Sequence, residues 1–176
     1  MTRYFDMTNV HGCIGFIPEN GEKIVLTGVS ISAMPLSVKR KEAQAYEQFA
    51  QAYGIRFLFE DDTPNVPFYS VPRLDIAAVD DSGGFIASVV EPFCLDESVP
   101  LVYISKECRC YLITDDSTKL LSIAHCWRDQ LQPYAEVQLF PTKDDARMVY
   151  NIEDVEKIPE FQRLMKLMEE HKKPGR

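Results

Sequence analysis

Cysteine and histidine residues that lie close together are the first candidates for chemistry, because thiolates and imidazoles bind zinc and act as nucleophiles or bases. The candidate groups are Cys108 with Cys110, His125 with Cys126, and His11 with Cys13. Zinc knuckles usually use Cys-x-x-Cys spacing, and the Cys-x-Cys pair is one residue short of it. On a predicted helix the side chains of His125 and Cys126 diverge by about 100°, so they are not expected to bind one metal. A composite site that includes His11 or Cys13 stays open.

A cysteine-dependent hydrolase would need a thiol within reach of a histidine. His11 and Cys13 share one face of a predicted strand, with Cα atoms about 6.6 Å apart, which is long for direct proton transfer. No nucleophile signature surrounds Cys13, Cys94 or Cys126. The sequence therefore predicts no catalytic residue, no metal and no cofactor, and a cysteine- or metal-dependent hydrolase is the alternative function.

The glycine pair Gly83-Gly84 does not belong to a phosphate-binding loop. No Gly-x-x-x-x-Gly-Lys pattern surrounds it, and the neighbouring Asp80 and Asp81 would repel phosphate. Adjacent carboxylates such as Asp61-Asp62 have no EF-hand spacing, so a calcium loop is not predicted either.

The charge of the chain is concentrated in one stretch. The formal net charge is -8, from 19 basic and 27 acidic residues. Residues 61–100 contain Arg73 as their one basic residue against eight acidic ones, which gives 1 − 8 = −7. An acidic chain is a poor match for a nucleic-acid binder, because phosphate contacts need clustered Lys and Arg.

Carboxylates held on strands and turns would form a surface that attracts a cationic partner. We therefore expect a basic protein partner, no nucleic acid and no membrane, with an apolar anchor beside the charges because rim charges mainly set the encounter rate. The predicted partner-binding residues are Asp61, Asp62, Asp80, Asp81, Phe85, Asp96 and Glu97. The alternative interpretation is that these carboxylates only make the surface soluble and accept hydrogen bonds from the amides of their own turns.

Alternating apolar residues and turn signals predict the elements that position these groups. Two hairpins are expected, one from strands 73–79 and 85–90 around Gly83-Gly84, and one from strands 101–105 and 110–114. Helices are expected over 35–53, 116–131 and from 159 onward, the last carrying Phe161, Leu164, Leu167 and Met168. The pattern predicts an α+β fold, with a mostly antiparallel or mixed β-sheet flanked by about three helices.

No repeat or linker divides the chain, so residues 1–176 are predicted to form one domain, with an N-terminal hairpin at 10–31 and the helix at 159–172 as additions. No apolar run reaches the length of a membrane span, and the first residues lack the apolar stretch of a signal peptide. Five cysteines, an odd number, suggest free thiols in a reducing compartment, so a cytoplasmic location is expected.

A proline-rich approach at 66–72, a strand that ends in Asp and the Gly-Gly turn lead into the next strand. In this order of elements residues 54–131 resemble bacterial proteins of the SUKH superfamily, and the match is most specific from Asp75 to Gly84. Two motifs that are frequent in the family, a Trp-Gly element and a Leu-Pro motif after the first helix, are absent, and residues 3–31 have no counterpart. The resemblance implies an α+β domain without catalytic residues.

Many proteins of this superfamily are immunity proteins that neutralise toxins, often nucleases, and others are regulatory interaction modules. The resemblance therefore implies a non-enzymatic protein-binding module whose acidic surface occupies the basic cleft of a toxin. A purely structural or assembly subunit is a further alternative, and the sequence does not indicate the oligomeric state.

Overall fold

A seven-stranded sheet runs through the centre of the protein, whose computed structural model describes residues 1–10, 21–90 and 98–172. The strands are β1 (Thr2–Asp6), β2 (Lys23–Thr27), β3 (Val29–Ile31), β4 (Ile55–Phe57), β5 (Tyr69–Val71), β6 (Leu74–Asp80), β7 (Phe85–Val89), β8 (Leu101–Ile104), β9 (Cys110–Thr114), β10 (Gln132–Pro133), β11 (Gln138–Phe140) and β12 (Ile152–Asp154). The α-helices are α1 (Leu36–Tyr53), α2 (Leu120–Ile123), α3 (Lys143–Arg147) and α4 (Pro159–Lys172). The predicted α+β fold is confirmed.

The central sheet has the strand order β10-β9-β8-β7-β6-β3, and β4 also pairs with β6. Strands β6 to β9 form an antiparallel meander, which confirms both predicted hairpins, whereas β3 is parallel to β6. Both faces of this sheet are covered. One face packs with Leu58 and Val137, and the other packs against α1 and Trp127. Strands buried on two faces explain why β7 and β8 are almost continuously apolar.

A smaller sheet joins distant parts of the chain. It has the order β12-β1-β2, and β1 is parallel to both neighbours. Residues 2–6 were not expected to form a strand, although β1 is the middle strand of this sheet. Residues 11–20 of the expected hairpin at 10–31 lie outside the described residues. Residues 23–31, which would be the second strand of that hairpin, are divided at Gly28 (φ 103°) into β2 and β3, which belong to different sheets.

The continuous helix expected at 116–131 is wrong. The segment contains a 3-10 turn at 117–119, the single turn α2, and a second 3-10 turn at 127–130. The chain breaks after α2 because Trp127 turns inward, where its indole Nε1 donates to the carbonyl of Tyr53 at 2.9 Å. A straight helix would also have buried Leu121, whose side chain is exposed.

Two helix boundaries follow their local signals. Helix α1 ends at Gly54, which has the left-handed φ of 67° that favours glycine. Helix α4 begins at Pro159, as the fixed φ of proline at a first helical position predicts. Among the described residues, no helix combines the length and the apolar character that crossing a bilayer requires.

Candidate functional site

Asp80, a predicted partner-binding residue, holds the β6–β7 hairpin together. Its carboxylate accepts hydrogen bonds from the backbone N–H of Gly84 at 2.6 Å, from Ser82 Oγ at 2.6 Å and from the hydroxyl of Tyr103 at 3.1 Å. Burial raises the pKa of Asp80, but the bonds from Ser82, Gly84 and Tyr103 outweigh that effect and hold the pKa below its usual value. The side chain is 1% exposed, so Asp80 is not available to a partner.

Arg128 neutralises the end of the same hairpin. Its guanidinium lies over the ring of Trp127 at 4.5 Å, donates to Asp81 at 2.5 Å and lies 3.5 Å from Asp80. The group also donates to the carbonyl of Tyr53, at the negative end of the dipole of α1. A Cβ at Gly54 would lie 2.6 Å from the guanidinium, so a glycine at this position leaves room for the cation.

Two more of the predicted partner-binding carboxylates are also paired with cations. Asp61 binds Lys39 at 2.7 Å, and Asp62 binds Arg56. Four predicted carboxylates therefore face three cations, which leaves a net charge of 3 − 4 = −1. The groups are Asp61, Asp62, Asp80 and Asp81 against Lys39, Arg56 and Arg128. Much of the field that would steer a basic partner is cancelled within the protein.

The expectation that Phe85 is an exposed anchor beside these charges is wrong. Its side chain is 8% exposed and packs edge-to-face on Phe68 within the core of the central sheet. Phe85 starts β7, and its side chain points to a face of the sheet that other side chains cover. Asp96 and Glu97 lie outside the described residues.

The two glycines of the hairpin serve different purposes, which gives a testable difference. Gly83 has φ 89° and open space around it, whereas a Cβ at Gly84 would lie 2.4 Å from the ring of Tyr103. We expect Gly84→Ala to lower the free energy of unfolding by about 3 kcal/mol through overpacking, and Gly83→Ala by about 1 kcal/mol through backbone strain. Urea unfolding of both variants measures the difference.

Truncation of the clashing side chain supplies the control. In the Tyr103→Leu background, Gly84→Ala should cost markedly less than in the wild type, because the ring that it meets is gone. An unchanged cost would show that the ring of Tyr103 is not the cause.

The described thiols do not form an activated nucleophile or a metal centre. Burial raises the pKa of Cys110 to about 12, so its thiol is protonated at neutral pH. Cys126 Sγ accepts a hydrogen bond from Gln130 Nε2 at 3.0 Å. Within the described part of the chain, no three His, Cys, Asp or Glu side chains are grouped so that they could hold a metal ion. His11, Cys13 and Cys94 lie outside that part.

The two thiols of the Cys-x-Cys pair should differ strongly in reactivity. Cys108 is exposed, whereas Cys110 is half-buried with a raised pKa. Because the thiolate is the reactive form, a pKa of about 12 instead of 9.0 should slow alkylation of Cys110 at pH 8 by about a thousandfold. Peptide mass mapping after timed iodoacetamide treatment measures both rates, and Cys108→Ser confirms the assignment. Equal rates would contradict this burial.

His125 and Cys126 line one cavity of about 330 Å³ together with Asp81, because the helix that was expected to separate them is broken. No hydrogen bond joins the two side chains among the described contacts, and the hydrogen bond from Gln130 occupies the thiol instead. The cavity brings together residue types that a cysteine hydrolase uses, without the thiol–imidazole contact that would activate the nucleophile.

A second ionic network connects β1 with α3 and with the end of β12. Asp6 is buried and accepts hydrogen bonds from Lys143 Nζ, from the hydroxyl of Tyr69 at 2.9 Å and from Thr8 Oγ1 at 2.7 Å. Lys143 Nζ also donates to Asp154. Burial raises the pKa of Asp6, but the hydrogen bonds from Lys143, Thr8 and Tyr69 outweigh that effect and hold the pKa below its usual value. Because these groups bond to one another, the network stabilises the small sheet.

Helix α4 exposes large apolar side chains. Phe161 packs near the core cluster that contains Phe5, Met7 and Val155, which fixes the first turn of the helix. Beyond it, four apolar residues are 40–53% exposed, and we call them the α4 apolar face: Leu164, Met165, Leu167 and Met168. Contiguous exposed apolar side chains are typical of interaction surfaces.

Comparisons of the chain with protein-family models, with curated proteins and with solved structures find no match. The SUKH resemblance therefore stays a prediction.

Sequence reasoning missed the role of Asp6 and Lys143. The two residues are separated by 137 positions, and neither belongs to a recognisable motif. The apolar residues of α4 were visible as a helical pattern, but the pattern did not indicate whether the face is covered.

Proposed function

We propose that the protein is a non-enzymatic protein-binding module that contacts its partner through the α4 apolar face. The observation that carries the proposal is the exposure of Leu164, Met165, Leu167 and Met168, each between 40% and 53%. Full burial of one such side chain is worth about 1.5–3 kcal/mol, so covering this face provides a driving force for association.

The composition of the helix supports recognition by a hydrophobic groove. Methionine is unbranched and polarizable, and adapts its shape to irregular surfaces. The rest of the helix carries both signs of charge, with Arg163 and Lys166 beside Glu169 and Glu170. An amphipathic helix that lies in an apolar groove is a common mode of protein recognition. Binding in this mode should depend little on salt.

A pair of matched variants tests this surface. Leu164→Ser with Met168→Ser removes two members of the α4 apolar face, and Arg163→Ser with Glu170→Ser changes charged positions of the same helix. Capture from native cytosol, followed by reconstitution with the purified partner, should weaken at least tenfold for the first pair and less than threefold for the second. Equal capture by wild type and the first pair, or no captured protein at all, would overturn the proposal.

Self-association is a separate outcome of the same variants. Light scattering that shows a stable homo-oligomer in the wild type and a monomer in the Leu164→Ser, Met168→Ser protein would favour an assembly subunit. It would contradict a foreign partner on this face.

An immunity protein against a basic, nuclease-type toxin is the narrower form of the proposal. Asp61, Asp62 and Asp81 keep part of their side-chain surface exposed, but each is paired with a cation. The electrostatic support for this form therefore depends on Asp96 and Glu97. Asp96→Asn with Glu97→Gln should abolish capture of a basic polypeptide at low salt, and unchanged capture would reject the narrower form alone.

A further inference from the structure

A large cleft is lined by residues of β2 and of the two-stranded ribbon formed by β5 and β11. Its volume is about 620 Å³, which is in the range of clefts that bind small ligands. Three tyrosines line it, namely Tyr4 on β1, Tyr134 before β11 and Tyr150 before β12. Neither the hairpin ion pairs nor the α4 apolar face contributes to this cleft.

Two of the tyrosines are arranged at an angle to each other. The ring centroids of Tyr4 and Tyr150 are 4.7 Å apart, and their planes make an angle of 47°. Burial, with a smaller contribution from the neighbouring Tyr4, raises the pKa of Tyr150, so its hydroxyl stays neutral under physiological conditions. Neutral aromatic rings have a negative face that attracts cations.

The charged residues of the cleft favour the same kind of ligand. Glu22 and Glu136 line it together with Lys23, which gives 1 − 2 = −1. Aliphatic side chains, among them Val71 and Val89, form much of the remaining wall and offer an apolar surface to a bound group. A strongly hydrated metal ion gains little from such a wall, whereas an alkylated ammonium group has a methyl surface to bury and one positive charge.

We propose that this cleft binds an organic cation of the alkylated ammonium class, with lining tyrosine rings against the methyl groups and Glu22 and Glu136 balancing the charge. Two sources offer this chemistry, a free choline-like molecule and the methylated lysine side chain of a peptide. Both place a weakly hydrated cation of the same size against the rings.

Isothermal titration with choline and with 3,3-dimethylbutan-1-ol tests the cation requirement, because the two molecules have the same shape and only choline is charged. Choline should bind at least tenfold more tightly than the alcohol. Equal affinities would overturn the proposal, as would no detectable binding of choline at 10 mM, a concentration on the order of 10,000-fold above the dissociation constant of a micromolar site.

Variants of one tyrosine and one glutamate locate the site. Tyr150→Leu removes the ring and should weaken choline binding at least fivefold, whereas Tyr150→Phe keeps the ring and should change it less than twofold. Glu136→Gln should weaken binding about threefold without changing the melting temperature. Unchanged affinity in Tyr150→Leu, with the fold intact by circular dichroism, would remove the cleft as the site.

Peptides distinguish the two sources. A short Gly/Ser peptide with one trimethyllysine should bind more tightly than choline if the natural ligand is a modified protein, and its unmethylated form should bind at least fivefold more weakly. A peptide that binds more weakly than choline would assign the cleft to a small molecule. The Leu164→Ser, Met168→Ser protein should bind choline as the wild type does, so this result is independent of the α4 apolar face.

Discussion

Replacement of Asp80 by alanine is expected to lower the free energy of unfolding by about 3–5 kcal/mol. The carboxylate accepts from Gly84, Ser82 and Tyr103 and lies beside Arg128, so its removal leaves several polar groups without their partner inside the protein. Urea unfolding monitored by Trp127 fluorescence measures the loss, since the indole lies 5.3 Å from the ring of Tyr103.

The neighbouring carboxylate is the matched control. Asp81 pairs with the same Arg128, but its side chain is 71% exposed, and exposed ion pairs contribute about 0–1 kcal/mol. Asp81→Ala should therefore cost at most about 1 kcal/mol. Similar losses in the two variants would show that the buried hydrogen bonds of Asp80 are not what stabilises the hairpin.

Acid should reproduce part of the Asp80→Ala effect. Because the pKa of Asp80 is lower in the folded protein than its ordinary value of 3.8, the carboxylate contributes stability above that value. This contribution is lost as the pH falls below about 4 through the folded pKa. The stability of Asp80→Asn should change less with pH over this range than that of the wild type, and parallel curves would contradict the assignment.

Lys143→Met is the second substitution with a large expected effect, a loss of about 3 kcal/mol. The ammonium group joins Asp6 of β1 to Asp154 of β12, so its removal leaves the buried carboxylate of Asp6 without its ion-pair partner. Hydrogen exchange should show faster exchange in β1 and β12 than in β7 and β8, because the small sheet opens first. Uniform acceleration would contradict a local role.

Lys157→Met provides the control for this network. Lys157 also binds Asp154, at 2.7 Å, but its side chain is 80% exposed. The substitution should cost at most about 1 kcal/mol and leave the exchange of β1 unchanged. A loss as large as that of Lys143→Met would shift the explanation from the buried Asp6 to the exposed side of Asp154.

The pH range of this network follows from its pKa shifts. Hydrogen bonds from Lys143 and Lys157 lower the pKa of Asp154, and the pKa of Asp6 is also lowered, so their contributions are lost only as the pH falls below about 4. Burial lowers the pKa of Lys143, but the bonds to Asp154 and Asp6 raise it above 10.5, so its contribution is lost only in stronger alkali. The network should be intact from about pH 5 to pH 10.

Local signals in the sequence were sufficient for much of the central sheet. The turn before β7 was recognisable because Gly83 permits a positive φ between two apolar runs, and Gly54 marked the end of α1. The prediction of one continuous helix over 116–131 is wrong because helical spacing does not show that Trp127 donates a hydrogen bond to Tyr53, 74 residues earlier in the chain. Periodicity indicates which residues share a face, but not which tertiary contact breaks a helix.

The candidate site was less predictable than the fold. Clustered carboxylates indicated an open acidic surface. Their cationic partners Lys39, Arg56 and Arg128 come from other segments of the chain, and no local sequence pattern predicts these ion pairs. Phe85 was misjudged because a strand buried on both faces has no outward position for it. The three tyrosines of the cleft are dispersed over the chain, so only the assembled sheets bring them together.

Because β1 pairs with β12, the small sheet cannot be completed until the end of the chain has been synthesised. Tyr4 lies opposite Ile152, so a ribosome that adds about 5–20 residues per second delivers the second strand roughly 7 to 30 s after the first. During this interval Phe5 and Met7 lack Val155 as a neighbour, and the carboxylate of Asp6 lacks its ion pair with Lys143 until that residue is synthesised. We therefore expect translation stalled before residue 152 to leave a product that aggregates more readily than the full-length chain.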